Sequence, residues 1–508
     1  MSTRVYSAAI IGLDSQVVEV EADISGGLHR VFIVGLPDEA VTEAKERVKS
    51  AIKNSGVEFP RSVVTINLAP ADLKKEGPAY DLPIALAVLI AKRRIKEGRI
   101  TKDQLFVGEL ALDGQLRRIN GTLSIAMMAK EKGFRSLYLP SMNAGEASLI
   151  DGIDIFPVDN LKQLIRHLAG RLKIKSYEKQ PVNFFQEEDI SYDMVYVKGQ
   201  EHVKRALEIA AAGGHNVAMT GPPGAGKTLL ARTMPTILPE LSLEESLEVT
   251  KIYSVVGLLS SDKPLVSARP FRSPHHTSSA VALVGGGSWP KPGEISLAHR
   301  GVLFLDEFPE FQRNVLESLR QPLEDGLITV SRASGTLQFP AKFILIAASN
   351  PCPCGYLNDP VRTCTCTPAQ IIRYKKRISG PLLDRIDLHI EVPRVKYDKL
   401  VSEKIAESSL AIRKRVNQAR QIQKLRLARY NIFTNAEMGM PLIKKYCQID
   451  HKSSELLKNA VDHLHLSARS YHRILKLSRT IADLAGEEKI ESLHIAEALQ
   501  YRAKASDY

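Results

Sequence analysis

Apolar and polar residues alternate with a period of two at residues 17–22, 30–34 and 63–68. Alternation of that kind predicts strands with one buried face. Residues 39–54 and 82–95 instead carry apolar positions at helical spacing, and 105–112, 121–132 and 136–139 continue the mixture. Residues 1–170 are therefore expected to form one α+β domain. Residues 171–195 are polar, with Lys173, Lys175, Lys179, Pro181 and the run Glu187-Glu188-Asp189, a composition suited to a linker. Strand–loop–helix units fill 196–392 and predict an α/β core. From 393 to 508 no strand pattern survives, so a helical domain is expected to close the chain.

A length of 508 residues agrees with about three domains. The 44% hydrophobic and 25% charged fractions are those of a globular chain. The longest apolar stretch, 82–91, is about half of a membrane span, and the first residues lack the charged and apolar regions of a signal peptide. A cytoplasmic protein with no membrane partner is expected. The net charge of +12 points to a polyanion, nucleic acid first, with solvated lysines as the plain alternative. Residues 411–430 concentrate Arg413, Lys414, Arg415, Arg420, Lys424, Arg426 and Arg429 without an acidic residue. They read either as a solvated helix face or as a surface for nucleic acid or an acidic neighbour.

Chemistry enters at an apolar strand, 216–220, that runs into Gly221-Pro222-Pro223-Gly224-Ala225-Gly226-Lys227-Thr228 and then a helix. This is a phosphate-binding loop in its strand–loop–helix setting. Glycines let backbone N–H groups turn toward phosphate, and the helix N-terminus adds a positive dipole end. Lys227 is expected at the β- and γ-phosphates of ATP, and Thr228 on Mg²⁺. A second strand, Val302-Leu303-Phe304-Leu305, ends in Asp306 and Glu307. Asp306 is expected to bind Mg²⁺, and Glu307 to activate water as general base. A third strand, 343–348, ends in Ser349-Asn350, where the amide can orient that water. Arg385 stands in the apolar frame 380–388 and reads as an arginine finger for a neighbour's site or as half of a structural Asp–Arg pair. Ser467-Ala468-Arg469 opens a helix that also carries Arg473 and Arg479.

These motifs, in this order, resemble the AAA+ superfamily in its magnesium-chelatase and MCM-like branch. The segment Arg269-Pro270-Phe271-Arg272-Ser273-Pro274-His275-His276-Thr277, the run Gly285-Gly286-Gly287 and Pro292-Gly293-Glu294-Ile295-Ser296 are similar to the ComM (YifB) group of Mg-chelatase-like ATPases. The resemblance covers the whole chain. It implies an AAA+ P-loop core with a helical lid, behind a front domain similar to the Lon protease domain. It implies Walker A at Lys227 and Thr228, Walker B at Asp306 and Glu307, sensor 1 at Asn350, an arginine finger at Arg385 and sensor 2 at Arg469, with Arg473 one turn away. That group is associated with natural transformation, where a hexameric helicase drives branch migration of DNA. In the front domain Lys75-Glu76-Gly77-Pro78-Ala79-Tyr80-Asp81 stands where Lon-type proteases have a nucleophile turn, and Ala79 has no nucleophile. The lysine expected near Gly121 is replaced by Thr122 and Leu123, so acyl chemistry cannot run. The front domain is expected to be non-proteolytic.

Two further features remain. Cys352, Cys354, Cys364 and Cys366 form two C-x-C pairs, which suit tetrahedral Zn²⁺ or else four reduced thiols in a turn-rich insertion. Two insertions resemble the family's helix-2 insert and pre-sensor hairpin. They bring Arg269, Arg272, His275 and His276 in one, and Arg332 at a β-hairpin turn in the other. Arg269, Arg272, His276 and Arg332 are the expected contacts to DNA phosphate, without reading sequence. The expected function is an ATP-driven hexameric DNA motor promoting branch migration in recombination of incoming DNA. The alternative is a chelatase-type ATPase that remodels a partner protein.

Overall fold

The computed structural model describes residues 3–96, 98–179, 192–287, 290–332, 335–395, 399, 406–464 and 466–503. Pro181 and the acidic run 187–189 lie outside them. The chain forms two compact units, one from Met1–Phe184 with Leu243–Val266, the other from Phe185–Ser242 with Ser267–Tyr508.

In the first unit the alternating segments become β1 (Thr3–Ile11), β2 (Asp14–Ser25), β3 (Arg30–Val34) and β4 (Val63–Ala69). β5 (Gln104–Phe106) breaks before the short β6 (Glu109–Leu110), which pairs with β7 (Leu116–Arg117). β8 (Ser136–Pro140) and β9 (Asp154–Val158) complete a seven-stranded mixed sheet in the order β3-β4-β2-β1-β5-β8-β9. The helix Glu39–Asn54 takes the span its periodicity predicts, capped by the Asp38 carboxylate on the Val41 N–H. The second expected helix runs Asp81–Ala91 and stops short of residue 95, with Arg93 left-handed just past its end. That helix is apolar all round and buried, as a helix behind a sheet must be.

Residues 243–266 correct a sequence-based boundary. They lie within the range 196–392 expected for the ATPase core, yet they pack with the first unit. Leu265 and Leu247 close a cluster with Leu123, Leu149, Met127 and Ile150. The Gly121 N–H donates to the Ser254 carbonyl at 3.0 Å, and Lys251 pairs with Asp14 at 2.6 Å. Burial of these apolar side chains decides the assignment, and adjacency along the chain does not.

The second unit is built on β10 (Val217–Thr220), β11 (Phe271–Arg272), the small ribbon β12 (Gly285–Gly286) with β13 (Lys291–Pro292), and β14 (Val302–Leu305). The hairpin β15 (Leu327–Arg332) with β16 (Gly335–Pro340) follows, then β17 (Ile344–Ser349) and β18 (Leu388–Glu391). The five-stranded sheet runs β11-β14-β17-β10-β18, every pair parallel. The helices Ser409–Leu427 and Ala468–Ala485 bury Ile412, Val416, Ala419, Ile474 and Ile481 in the same core as Val217, Met219 and Ile346. The tail and the sheet therefore share one core. Four arginines of the basic run on Ser409–Leu427 prove to be internal braces, while Lys414 and Lys424 are exposed. Arg415 pairs with Glu208 at 2.5 Å and Glu407 at 2.9 Å, Arg426 with Asp483, and Arg413 and Arg420 donate to the carbonyls of Thr236 and Ala211. No helix among the described residues is long and apolar enough to cross a membrane.

Candidate functional site

Three parallel strands end at one edge of the second sheet. β10 delivers the loop from Gly221, β17 delivers Asn350, and β14 delivers Asp306 and Glu307. Because β17 lies between β10 and β14, Asn350 emerges between the loop and the acid pair. Ligands of parallel sheets bind at such carboxyl ends.

The loop Gly221-Pro222-Pro223-Gly224-Ala225-Gly226 wraps into the helix Lys227–Ile237. Gly224 and Gly226 have φ of 75° and 88°, the left-handed conformation that turns successive N–H groups inward. Gly221 is required for a different reason, since a Cβ there would lie 2.2 Å from the Val392 carbonyl oxygen. Lys227 is buried, and its ammonium donates to the Gly221 carbonyl at 2.6 Å, the Pro222 carbonyl at 3.1 Å and the Asn350 Oδ1 at 3.1 Å. Burial pushes its pKa below the usual lysine value, against the opposing pull of Asp306 and Glu307. The Thr228 hydroxyl donates to Asp306 Oδ2 at 2.9 Å. These two hard oxygen ligands, side by side at a helix N-terminus, fit Mg²⁺.

Glu307 adopts φ 52° and ψ 43°, left-handed for a residue with a Cβ. Strain of this kind costs on the order of 1–3 kcal/mol and concentrates at functional positions. Its carboxylate lies 3.0 Å from His276 Nδ1. The structure thus ties His276 to the expected base, a contact that sequence spacing could not show. Arg269 donates to the carbonyls of Pro239 at 2.5 Å and Arg300 at 2.6 Å. Arg272 holds Glu294 through both nitrogens, at 2.6 and 2.7 Å. These two arginines therefore have partners inside the chain. Arg332 ends β15, but its side chain and residues 333–334 lie outside the described set.

Arg385 is at the other edge. Asp387 and Leu388, two and three residues further on, donate their N–H groups to the carbonyl of Asn216, the residue before β10. Its guanidinium holds Glu324 and donates to the Pro381 carbonyl at 2.7 Å. Arg469 reaches the same Glu324 at 3.1 Å. The bond from Arg385, and then the charges of both arginines, hold the Glu324 carboxyl below its usual range. Arg473 instead turns inward to the Ile386 carbonyl and to Asp384 at 3.4 Å. Arg479 is buried against Asp483 and the Glu488 carbonyl. The four clustered cysteines are free thiols in the loop after Asn350.

A parallel P-loop sheet with this acid pair and asparagine is the core of a Mg-chelatase-like AAA+ protein. Family profiles agree: Magnesium chelatase, subunit ChlI matches residues 193–400, Subunit ChlI of Mg-chelatase matches 20–143, and the ChlI C-terminal profile matches 406–502. The chain is 44% identical to Competence protein ComM of Haemophilus influenzae over 507 residues, spanning 98% of this chain and 97% of that one. It is 43% identical to the uncharacterized protein YifB of Escherichia coli over 501 residues, or 98% and 96% of the two chains. The chain belongs to the ComM/YifB family of Mg-chelatase-like proteins. Its likeness to magnesium-chelatase subunit ChlI of Mesostigma viride is weaker, 26% over 299 residues, covering 52% of this chain and 75% of that one.

Proposed function

We propose that this protein is an ATP-hydrolysing ring, with DNA as its track, that promotes branch migration while incoming DNA recombines. Lys227 and the loop N–H groups would bind the β- and γ-phosphates. Thr228 and Asp306 would hold Mg²⁺, which would supply positive charge to the same oxygens. Glu307 would take the proton of the attacking water, and Asn350 would orient that water.

The position of Arg385 carries the ring. The strand β10 that separates it from the loop is four residues long, a rise of about 13 Å. An arginine side chain cannot span that distance and reach the chain's own phosphates. Arg385 and Arg469, side by side on Glu324, would instead meet the γ-phosphate of a neighbouring subunit. A closed ring satisfies every such pairing. Six subunits is the number implied by the family resemblance.

DNA is supported by the +12 charge, by the hairpin β15–β16 with Arg332 at its turn, and by the competence name of the relative in Haemophilus influenzae. Arg332 at the hairpin turn is the proposed phosphate contact. In this reading Arg269 and Arg272 shape the neighbouring loop and act on DNA through it. The front unit is proposed to be Lon-like and non-proteolytic. Ala79 uses its carbonyl to accept the Gly108 N–H at 2.9 Å and offers no hydroxyl. The test is ATPase activity without DNA and with single-stranded, duplex and four-way DNA. Strong stimulation by branched DNA is expected. Stimulation by a partner protein alone, with none by DNA, would favour the chelatase-type alternative.

A further inference from the structure

The loop from 351 to 367 has no regular secondary structure, and Cys352 is its only buried hydrophobic residue. A segment of this kind has no hydrophobic core of its own to hold it. Its four thiols nevertheless converge. Cys352 Sγ lies 3.4 Å from Cys354 Sγ and 3.7 Å from Cys364 Sγ, and Cys354 and Cys364 are 3.6 Å apart. All four sulfurs, Cys366 included, fall within 4.8 Å of one another.

Those separations are too long for disulfides, at about 2.05 Å. They match the edge of a tetrahedron of thiolates around zinc. With Zn–S near 2.3 Å, that edge is about 3.8 Å. The Cys354 N–H also points at Cys366 Sγ from 3.3 Å, the outer hydrogen bond that orients a ligating thiolate.

The loop is also joined to the nucleotide site. Asn350, two residues before Cys352, accepts the Lys227 ammonium. Gly355, with φ 85°, sits so close to the P-loop that a Cβ would lie 2.6 Å from Pro223 Cδ. Tyr356 is covered by Arg362 and Arg394, and Arg394 pairs with Asp359 at 2.8 Å.

We propose that Cys352, Cys354, Cys364 and Cys366 hold one structural Zn²⁺, and that this metal fixes the loop bracing Pro223 and positioning Asn350. The bracing half rests on the ATPase reading, and the metal half does not. Full-length protein purified without added metal should carry about one zinc per chain by elemental analysis. A mercurial titration should release that zinc as the thiols react. Cobalt substitution should give the absorption of a tetrahedral tetrathiolate site. Cys364→Ser should lower zinc content, whereas Cys447→Ala, outside the cluster, should not. Wild-type protein that holds iron, or no metal and four freely titrating thiols, overturns the site whether or not any variant folds. Gly355→Ala keeps all four ligands, so it should retain zinc, while its added methyl overpacks Pro223 and should raise KM for ATP roughly tenfold. Full zinc with unchanged KM overturns the brace and leaves the metal. If no preparation hydrolyses ATP, the function reading fails, and the metal analysis still decides the zinc.

Discussion

At the scale of single residues, the site is a set of polar groups held against their preferences. Lys227 is an ammonium pushed into a buried niche, where it rests on two carbonyls and Asn350. Lys227→Ala should abolish ATP binding or turnover, read by nucleotide titration. Glu307 sits in a left-handed conformation with His276 on its carboxylate. Glu307→Gln keeps the shape and removes the base, so ATP should stay bound while hydrolysis falls by about 10²–10⁴. Normal turnover in that variant would falsify the assignment of the base. His276 has a separate role to test. Because it occupies the Glu307 carboxylate, His276→Ala should raise hydrolysis without DNA and shrink the stimulation by DNA. An unchanged stimulation ratio removes His276 from the control of Glu307. The P-loop, the acid pair and Asn350 were legible in the sequence because each follows an apolar strand directly. The His276 contact was not, because 31 positions of chain separate the partners.

At the scale of elements, strand direction does most of the work. Parallel β10, β14 and β17 put their carboxyl ends together and leave Arg385 at the amino edge, before β18. Arg385→Ala should therefore leave ATP binding nearly intact and reduce hydrolysis by about 10³–10⁵. Mixed with Lys227→Ala protein it should regain part of the activity, since some interfaces then hold both groups. Full activity of a strictly monomeric protein sinks the trans assignment. The hairpin β15–β16 carries the other element-scale prediction. Arg332→Ala should weaken DNA binding similarly on all sequences and reduce the salt slope by about one unit. A slope equal to wild type means that Arg332 touches no phosphate. The helix Ser409–Leu427 shows the limit of reading charge from sequence. Its arginines looked free because their partners, Glu208, Asp483 and the carbonyls of Ala211 and Thr236, lie far away in the chain.

At the scale of the whole molecule, the first unit contributes a titrating group in its core. Asp81 is buried at the start of its helix, bonded to Arg47 at 2.8 Å and to the Leu110 N–H at 3.1 Å. Burial lifts its carboxyl to about 6, outweighing the hydrogen bond and charge of Arg47. The folded state thus holds this proton more tightly than the unfolded chain, whose value is near 3.9. Stability from this group is full below about pH 4 and is lost as pH rises through about 6. Moving from about pH 7 to about pH 5 should favour the wild type over Asp81→Asn by about 1 kcal/mol. Hydrogen exchange of the helix Asp81–Ala91 in the two proteins measures this. Parallel pH profiles would exclude Asp81 as the titrating group.

The sequence by itself determined whatever is local. It set the period-two strands, the capped helix Glu39–Asn54, the P-loop and the carboxylates at the end of β14, because neighbouring side chains and backbone preferences fix these within a few residues. It also brought the cysteines close, through two C-x-C pairs only nine residues apart. Tertiary structure decided whatever depends on contacts between distant segments. It moved 243–266 into the first unit, merged the tail with the sheet in one core, paired His276 with Glu307, and set Arg385 and Arg469 on one glutamate. Those outcomes follow from which apolar surfaces can be buried together and which charges are then left within reach. Both are properties of the packed chain, and no window of sequence contains them.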